Sequence, residues 1–145
     1  MPVELREMTI DDHAEAVTLW QATEGLILDA EDSPEAIARY LDRNPGLSFV
    51  AIDEGTLVGT ILCGHDGRRG MLRHLAVKAT HRSQGIARGL IAKCLEGLRR
   101  QGIAKCNAFV LEDNEEGQAI WERLGFAKLE RRFCIMQTRT DGPAD

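Results

Sequence analysis

The stretch that most constrains this chain is an apolar run from Leu72 to Val77, followed by a short basic loop and a helix-like run that ends at Arg100. The first run predicts a strand, and the apolar spacing of the last predicts a helix. Gly85 and Ala87 keep the loop slim where the helix begins. Because the first turn of a helix presents unpaired N–H groups and a partial positive charge, we expect an anion to bind there. The sequence therefore predicts a diphosphate site at the start of this helix.

Basic side chains strengthen that prediction. Arg82 and Arg88 flank the loop on flexible arms, and Gly89 keeps the next turn narrow. A plain strand-to-helix turn with solvated arginines is also typical of this pattern, so both interpretations stay open at this point. Neither GxxxxGK[ST] nor GxGxxG occurs in the sequence, which disfavours a nucleotide as the ligand.

Composition limits the remaining function classes. With 145 residues, 43% of them hydrophobic, the chain predicts one domain over residues 1–145, with a core at about 3–139 and a short flexible tail. The net charge of −5 disfavours nucleic acid and membrane as partners. No secretory signal pattern or membrane-length apolar run is present, so we expect a cytoplasmic protein. The four cysteines are scattered without metal-ligand spacing, so we predict no metal site.

The apolar periodicity predicts the element order β-α-α-β-β-β-α-β-α-β-β. Helix starts are marked by Thr9 with Asp12 in a capping box, and by Ser33 before Pro34. The fold class is α+β, a mixed and mostly antiparallel sheet of six to seven strands flanked by four helices, with a parallel crossover from the fourth strand to the fifth. The predicted strands are 3–8, 47–53, 56–64, 71–78, 105–111, 126–130 and 132–138, and the predicted helices are 10–23, 34–44, 85–100 and 115–124.

Two motifs carry a resemblance to a known family. The segment 75–77 followed by 82–87 reads as a strand and then R-x-x-G-x-A, and Asn114 is followed after seven residues by Trp121 and after eleven by Gly125-Phe126. Together they resemble the GCN5-related N-acetyltransferase (GNAT) family, whose acyl-CoA N-acyltransferase fold matches the predicted order from Val3 to about Arg139. The 65–70 turn and the region of Trp20 also resemble a small bacterial subgroup that includes the YpeA-type acetyltransferases.

The resemblance implies acetyl-CoA as cofactor and direct transfer of the acetyl group to an amine in a ternary complex. It also implies that the fourth strand is bulged and pairs with the pantetheine amides, and that a backbone N–H near Ala76 or Val77 polarises the thioester carbonyl. Asn114 is expected to bond the pantetheine arm, to cap the last helix, or both. The cofactor-binding residues that the resemblance implies are Leu75, Ala76, Val77, Arg82, Ser83, Gln84, Gly85, Ile86, Ala87, Arg88, Asn114 and Trp121.

Two departures from the family pattern affect the catalytic residues. Trp121 stands where the family usually has a general-acid tyrosine, so its indole either packs against the sulfur end of CoA or fills the core. Tyr40, the single tyrosine, is predicted to lie far away in the second helix. Arg73 replaces a glutamate that many relatives use as the base, and regular alternation places the neighbouring His74 on the opposite face. His74 is the candidate base, or a structural histidine, with Glu112 and Asp113 as alternatives.

The acceptor pocket is expected beside the first two helices, as the resemblance implies. That region carries an acidic group that suits a primary amine of a small molecule or peptide, although a solvated loop would look the same; its members are Glu24, Asp29, Glu31 and Asp32. The alternative function is a catalytically weak or inactive acyl-CoA-binding module with a sensing or partner-binding role. A homodimer through the terminal strand at 133–136 is the remaining partner hypothesis.

Overall fold

A computed structural model describes residues 2–131 and 134–142, and these fall into two compact units that divide between Phe109 and Val110. Within the described residues no helix is long and apolar enough to cross a membrane. Single 3₁₀ turns lie at Ile10–Asp12, Ala30–Asp32 and Ala79–His81. The first unit contains β1 (Glu4–Glu7), α1 (His13–Gln21), α2 (Pro34–Arg43), β2 (Phe49–Asp53), β3 (Thr56–His65), β4 (Gly70–Val77), α3 (Ile86–Arg100) and β5 (Cys106–Ala108), and the second contains α4 (Glu115–Arg123).

The first unit is built on a five-stranded mixed sheet in the order β1-β2-β3-β4-β5. The first four strands pair antiparallel, and β4 pairs parallel with β5 through the crossover helix α3. The predicted parallel crossover is therefore confirmed. It matters for function because α3 begins just beyond the carboxyl end of β4.

The central strand β3 is buried on both faces. Leu62 packs into a core cluster with Trp20 of α1 and Ile37 of α2. A Cβ built on Gly59 would lie 3.2 Å from both Ala51 and Ile86, so this glycine lets α3 approach the sheet closely. Helices thus cover both faces of the strands that lead to the predicted diphosphate loop.

Both predicted helix starts are confirmed. The Ser33 hydroxyl accepts a hydrogen bond from the Ala36 N–H at 3.1 Å, which caps α2. The Thr9 N–H donates to the Asp12 carboxylate at 2.9 Å, and Arg6 donates two further hydrogen bonds to that carboxylate, at 2.9 and 2.8 Å. The first predicted helix therefore begins as a 3₁₀ turn that is tied to β1.

The predicted count of six to seven strands is wrong for the described residues, which form five. Segments 126–131 and 134–138 form no strand, and Arg132 and Phe133 lie outside the described residues. The exposed side chains of Leu129, Ile135 and Met136 show why the prediction failed. Apolar alternation indicates which faces a strand would present, but a strand also needs a backbone partner that the pattern does not specify. The single-domain hypothesis stays a prediction.

Candidate functional site

The β4–α3 connection places helix amides against open space. Ser83 and Gly85 both have left-handed backbones, with φ of +61° and +81°. Among the described residues no side chain caps α3, and the first hydrogen bond of its ladder runs from the Gly89 N–H to the Gly85 carbonyl at 3.0 Å. The N–H groups of Ile86 and Ala87 therefore have no acceptor within the helix. A Cβ built on Gly85 would meet no atom within 4 Å, so a ligand can approach this backbone.

The side chains around this loop take several roles. The Arg82 Nε donates a hydrogen bond to the carbonyl of Val77, the last residue of β4, at 3.1 Å. The Arg82 side chain nevertheless stays exposed to solvent. Gln84 and Arg88 are exposed as well. His81 Nε2 lies 2.7 Å from an Asp53 carboxylate oxygen, a contact between residues 28 positions apart that no local sequence pattern predicts. Beside the loop, a cavity of about 310 Å³ is lined by Pro2, Val3, Leu5, Gln84, Gly85 and Ile86.

The outer edge of β4 extends beyond its pairing with β5. The parallel ladder ends at Leu72 opposite Ala108, whereas β4 continues to Val77. The Lys78 N–H donates to the Val58 carbonyl at 2.8 Å, so by antiparallel alternation Ala76 also directs its backbone groups toward β3. The N–H groups of Leu75 and Val77 consequently face the opposite edge. That edge is the one a peptide-like arm could join as an additional strand.

The bulge that the resemblance implies is present in β4, on its β3 side. Thr60 pairs with Ala76 and Leu62 with Arg73, so His74 and Leu75 together oppose a single residue. His74 adopts a left-handed backbone with φ of +51°. Its carbonyl accepts a hydrogen bond from the buried Thr60 hydroxyl at 2.8 Å, and that hydroxyl accepts one from the Trp20 indole N–H at 2.8 Å. This buried chain of hydrogen bonds holds the bulge in place.

The bulge also changes which side chains share a face. Arg73 and His74 line the same cavity, of about 530 Å³, whereas regular alternation predicted opposite faces for them. Of the four acidic residues predicted at the acceptor pocket, Asp29, Glu31 and Asp32 line this cavity and Glu24 does not. Its lining residues are Ile27, Asp29, Glu31, Asp32, Ala36, Ile37, Arg39, Tyr40, Arg43, Leu62, Arg73 and His74.

Within this cavity His74 is paired with Asp32. The His74 Nε2 lies 2.6 Å from Asp32 Oδ1, and the two side chains are 17% and 12% exposed. The other oxygen of this carboxylate accepts the Asp29 N–H at 3.1 Å, and the Asp32 carbonyl contacts His13 Nε2 at 2.7 Å. Because an ionised carboxylate can only accept hydrogen bonds, this contact places the His74 proton on Nε2 and leaves Nδ1 as the basic nitrogen. Such a pair can take a proton from a bound amine.

Tyr40 lies in α2, the second helix as predicted, and lines the wall of the same cavity as His74. Its hydroxyl is buried without a hydrogen-bond partner among the described residues and sits against Gly64 and Asn44. Burial raises the pKa of Tyr40 well above its usual range, so the phenol is a poor proton donor. The helical spacing of Ala36, Tyr40 and Arg43 could have indicated a shared face.

The second unit holds the remaining predicted residues. Asn114 Oδ1 accepts the Gly117 N–H at 2.9 Å, which confirms its role as the cap of α4. Trp121 is half-buried and packs edge-to-face on Phe126, with ring centroids 4.9 Å apart. Contacts of Asn114 or Trp121 with a cofactor stay predictions. Glu112 and Asp113 belong to this unit, and within the described residues no group of histidine, cysteine and acidic side chains is arranged as a metal site.

Comparison with known proteins agrees with this architecture. Residues 13–126 match the sequence profile of the Acetyltransferase (GNAT) family. An acetyltransferase of Photorhabdus laumondii is 35% identical over 138 residues, which cover 94% of this chain and 95% of that protein. An acetyltransferase of Yersinia pestis (strain Pestoides F) is 34% identical over 124 residues, which cover 86% and 87%.

Solved structures show the same fold. AAC(6')-Iy, in complex with the bisubstrate analogue CoA-S-monomethyl-acetylneamine, has a TM-score of 0.76 at 19% identity, covering 96% of this chain and 100% of that one. The PaiA N-acetyltransferase from Thermoplasma acidophilum, in complex with coenzyme A, has a TM-score of 0.76 at 20% identity, covering 91% and 94%. The narrower resemblance to the YpeA-type subgroup stays a prediction. With its sequence profile, its relatives and its fold in agreement, the chain belongs to the acetyltransferase (GNAT) family, and its activity is acetyl transfer.

Proposed function

We propose that this chain transfers the acetyl group of acetyl-CoA to the primary amine of a small molecule or peptide, by direct attack with both substrates bound. One observation carries the proposal. A single strand, β4, has an outward-facing backbone edge that leads to the start of α3, and it also places His74 in the wall of a separate cavity. A donor on one side and an acceptor on the other would thus meet at this strand.

The residues of the β4–α3 connection fit the cofactor. The amides at the start of α3 suit a diphosphate, because Gly85 leaves them uncovered and the helix N-terminus attracts negative charge. Arg82 and Arg88 would add charged hydrogen bonds. The outward amides of Leu75 and Val77 suit the pantetheine arm. Acetyl-CoA supplies an acetyl group that is activated as a thioester.

The register of β4 favours Val77 over Ala76 as the donor that polarises the acetyl carbonyl. Ala76 directs its N–H toward β3, whereas Val77 directs its own N–H to the outer edge. The Arg82 side chain binds the carbonyl of the next peptide unit, between Val77 and Lys78, and so anchors the end of β4 close to this donor. A fixed donor of this kind stabilises the developing oxyanion by about 3–4 kcal/mol.

The acceptor amine must lose a proton before it attacks, because an alkyl ammonium has a pKa of about 10.4. Asp29, Glu31 and Asp32 attract the ammonium form into the cavity. His74 Nδ1 then accepts the proton, and the Asp32 carboxylate at Nε2 stabilises the imidazolium that results. Asp32 acts here as a positioning residue.

We propose that the chain does without a general acid. Trp121 stands at the position of the family's tyrosine, and an indole N–H does not release its proton near neutral pH. A thiol has a pKa of about 8.5, so a thiolate can depart unprotonated. The missing acid should therefore slow transfer without abolishing it.

The test is release of the CoA thiol from acetyl-CoA with a panel of primary amines. We expect amine-dependent release, and we expect His74→Gln to lower kcat by about 10²–10⁴-fold while the Kd for CoA is unchanged. A thermal-shift comparison of acetyl-CoA, CoA, ATP and NAD checks the cofactor. The protein is instead the acyl-CoA-binding module if CoA binds, no amine in a broad panel causes release of the CoA thiol from acetyl-CoA, and Trp121→Tyr produces no transfer activity.

A further inference from the structure

The charged residues of the 530 Å³ cavity are sorted into two groups. Asp29, Glu31 and Asp32 precede α2, and Asp32 contacts His74. Arginines 39, 43 and 73 line the rest of the wall, on α2 and on β4. The cavity therefore has an acidic end before α2, which contains the proposed base, while Arg39 and Arg43 lie farther along α2 and Arg73 lies next to His74 on β4.

The direction of α2 sets the distance of Arg39 and Arg43 from this acidic end. Asp32 lies just before the helix, whereas Asn44, just after it, accepts the His65 N–H at the far end of β3 at 3.1 Å. The helix thus runs away from His74 along the cavity. At about 1.5 Å per residue, Arg39 and Arg43 lie roughly 5 and 10 Å farther along the axis than Ala36.

The three cavity arginines are available to a ligand. All three are exposed, and none makes a hydrogen bond or an ion pair with another residue in the described part of the chain. Three other arginines are each paired with a carboxylate: Arg6 with Asp12, Arg100 with Glu96 and Arg139 with Asp141. The cavity carboxylates also lie beyond ion-pair distance of these guanidinium groups, so the two groups of charge do not neutralise each other directly.

We infer that the acceptor is an amine that also carries an anionic group, a carboxylate or a phosphate, roughly 5–10 Å from its nitrogen. The inference rests on the proposed function of the cavity. The ammonium occupies the acidic end beside His74, and Arg39, Arg43 and Arg73 bind the anion. Guanidinium groups recognise carboxylates and phosphates through paired hydrogen bonds. A diamine would place its second ammonium among three positive charges and is disfavoured.

Four acceptors of similar length test this inference: aminohexanoate, aminohexyl phosphate, the neutral aminohexanamide, and hexane diamine, each with its amine at the chain end. We expect kcat/KM for one of the anions to exceed that for the amide by about tenfold or more, as a charge-assisted pair implies. Whether kcat/KM is larger for aminohexanoate or for aminohexyl phosphate shows whether the site prefers a carboxylate or a phosphate. The advantage should shrink as salt is raised, because these arginines are exposed.

The variant Arg39→Gln/Arg73→Gln should bring the anion-to-amide ratio close to one. Arg99→Gln is the matched control, because Arg99 is an exposed arginine of α3 that does not line the cavity, and it should preserve the ratio. A wild-type preference for the amide or the diamine would overturn the inference, as would a ratio that the double variant leaves unchanged.

Failure of this inference can be told apart from failure of the proposed function. If all four amines release CoA equally, the function stands and the anion site does not exist. If CoA binds but none of the four reacts, calorimetric titration of aminohexanoate and aminohexanamide into the CoA complex measures the corresponding ratio of affinities. Equal affinities, or no binding, refute the anion site. If CoA itself does not bind, the proposed function has failed.

Discussion

Replacing Thr60 with valine should remove the hydrogen bonds that hold the β4 bulge at His74 in place. Thr60 is fully buried, and its hydroxyl connects the Trp20 indole N–H to the His74 carbonyl, with both distances at 2.8 Å. Valine preserves the shape of the side chain but can neither donate nor accept. The change leaves a buried donor and a buried acceptor without this partner, and each such group costs about 1–3 kcal/mol. We therefore expect a loss of about 2–6 kcal/mol in the free energy of unfolding.

Urea denaturation measures this loss. With an m-value of about 2 kcal/mol/M, the midpoint should fall by about 1–3 M while the m-value stays constant. Thr56→Val is the matched control, since Thr56 begins the same strand, is exposed and makes no side-chain hydrogen bond in the described structure. It should change stability by less than about 0.5 kcal/mol.

Activity gives a second measurement for the same variant. The left-handed backbone of His74 is unfavourable for a non-glycine residue and persists because its surroundings hold it. Thr60→Val should therefore lower kcat under conditions in which the protein is fully folded. If Thr60→Val behaved like Thr56→Val in both stability and kcat, the proposed support of the bulge would be refuted.

Three further predictions follow from other contacts. Asp32→Asn should lower kcat by about tenfold or more without changing the Kd for CoA, measured by steady-state kinetics and calorimetry, because it weakens the orientation of His74. Arg82→Ala should weaken CoA binding by about 1.5–3 kcal/mol, measured by calorimetry with Arg99→Ala as the control. Although burial alone would raise the pKa of Asp12, Arg6 and the Thr9 N–H hold it below its usual value of 3.8. The stability that this carboxylate contributes should be complete above about pH 4 and lost as pH falls through the native pKa, and Asp12→Asn should flatten that acid limb in pH-dependent urea melts.

Local chemistry explains which elements the sequence predicted well. The Ser33 and Thr9 helix starts, the β4–α3 turn and the Asn114 cap all depend on residues within a few positions of one another. Their side-chain and backbone preferences act over the same short range in the sequence and in the fold.

Long-range geometry explains what the sequence missed. The Asp32–His74 contact joins residues 42 positions apart, and no periodicity within either segment specifies it. The bulge moved Arg73 and His74 onto one cavity, because a single extra residue breaks the two-residue period. Tyr40 lines that cavity because of how α2 packs. The strands predicted within 126–138 would have needed a backbone partner, which their own residues do not specify.

The most direct test of diphosphate binding at the start of α3 compares CoA with pantetheine, which lacks the diphosphate, on two glycine variants. Gly85 and Gly55 have the same φ of +81°, and neither has an atom within 4 Å of a built Cβ, so valine imposes a similar backbone strain at each. Calorimetry should show that wild type and Gly55→Val bind CoA more tightly than pantetheine, and that Gly85→Val loses this advantage. Undiminished preference for CoA in a folded Gly85→Val protein would contradict the assignment of the diphosphate to these amides.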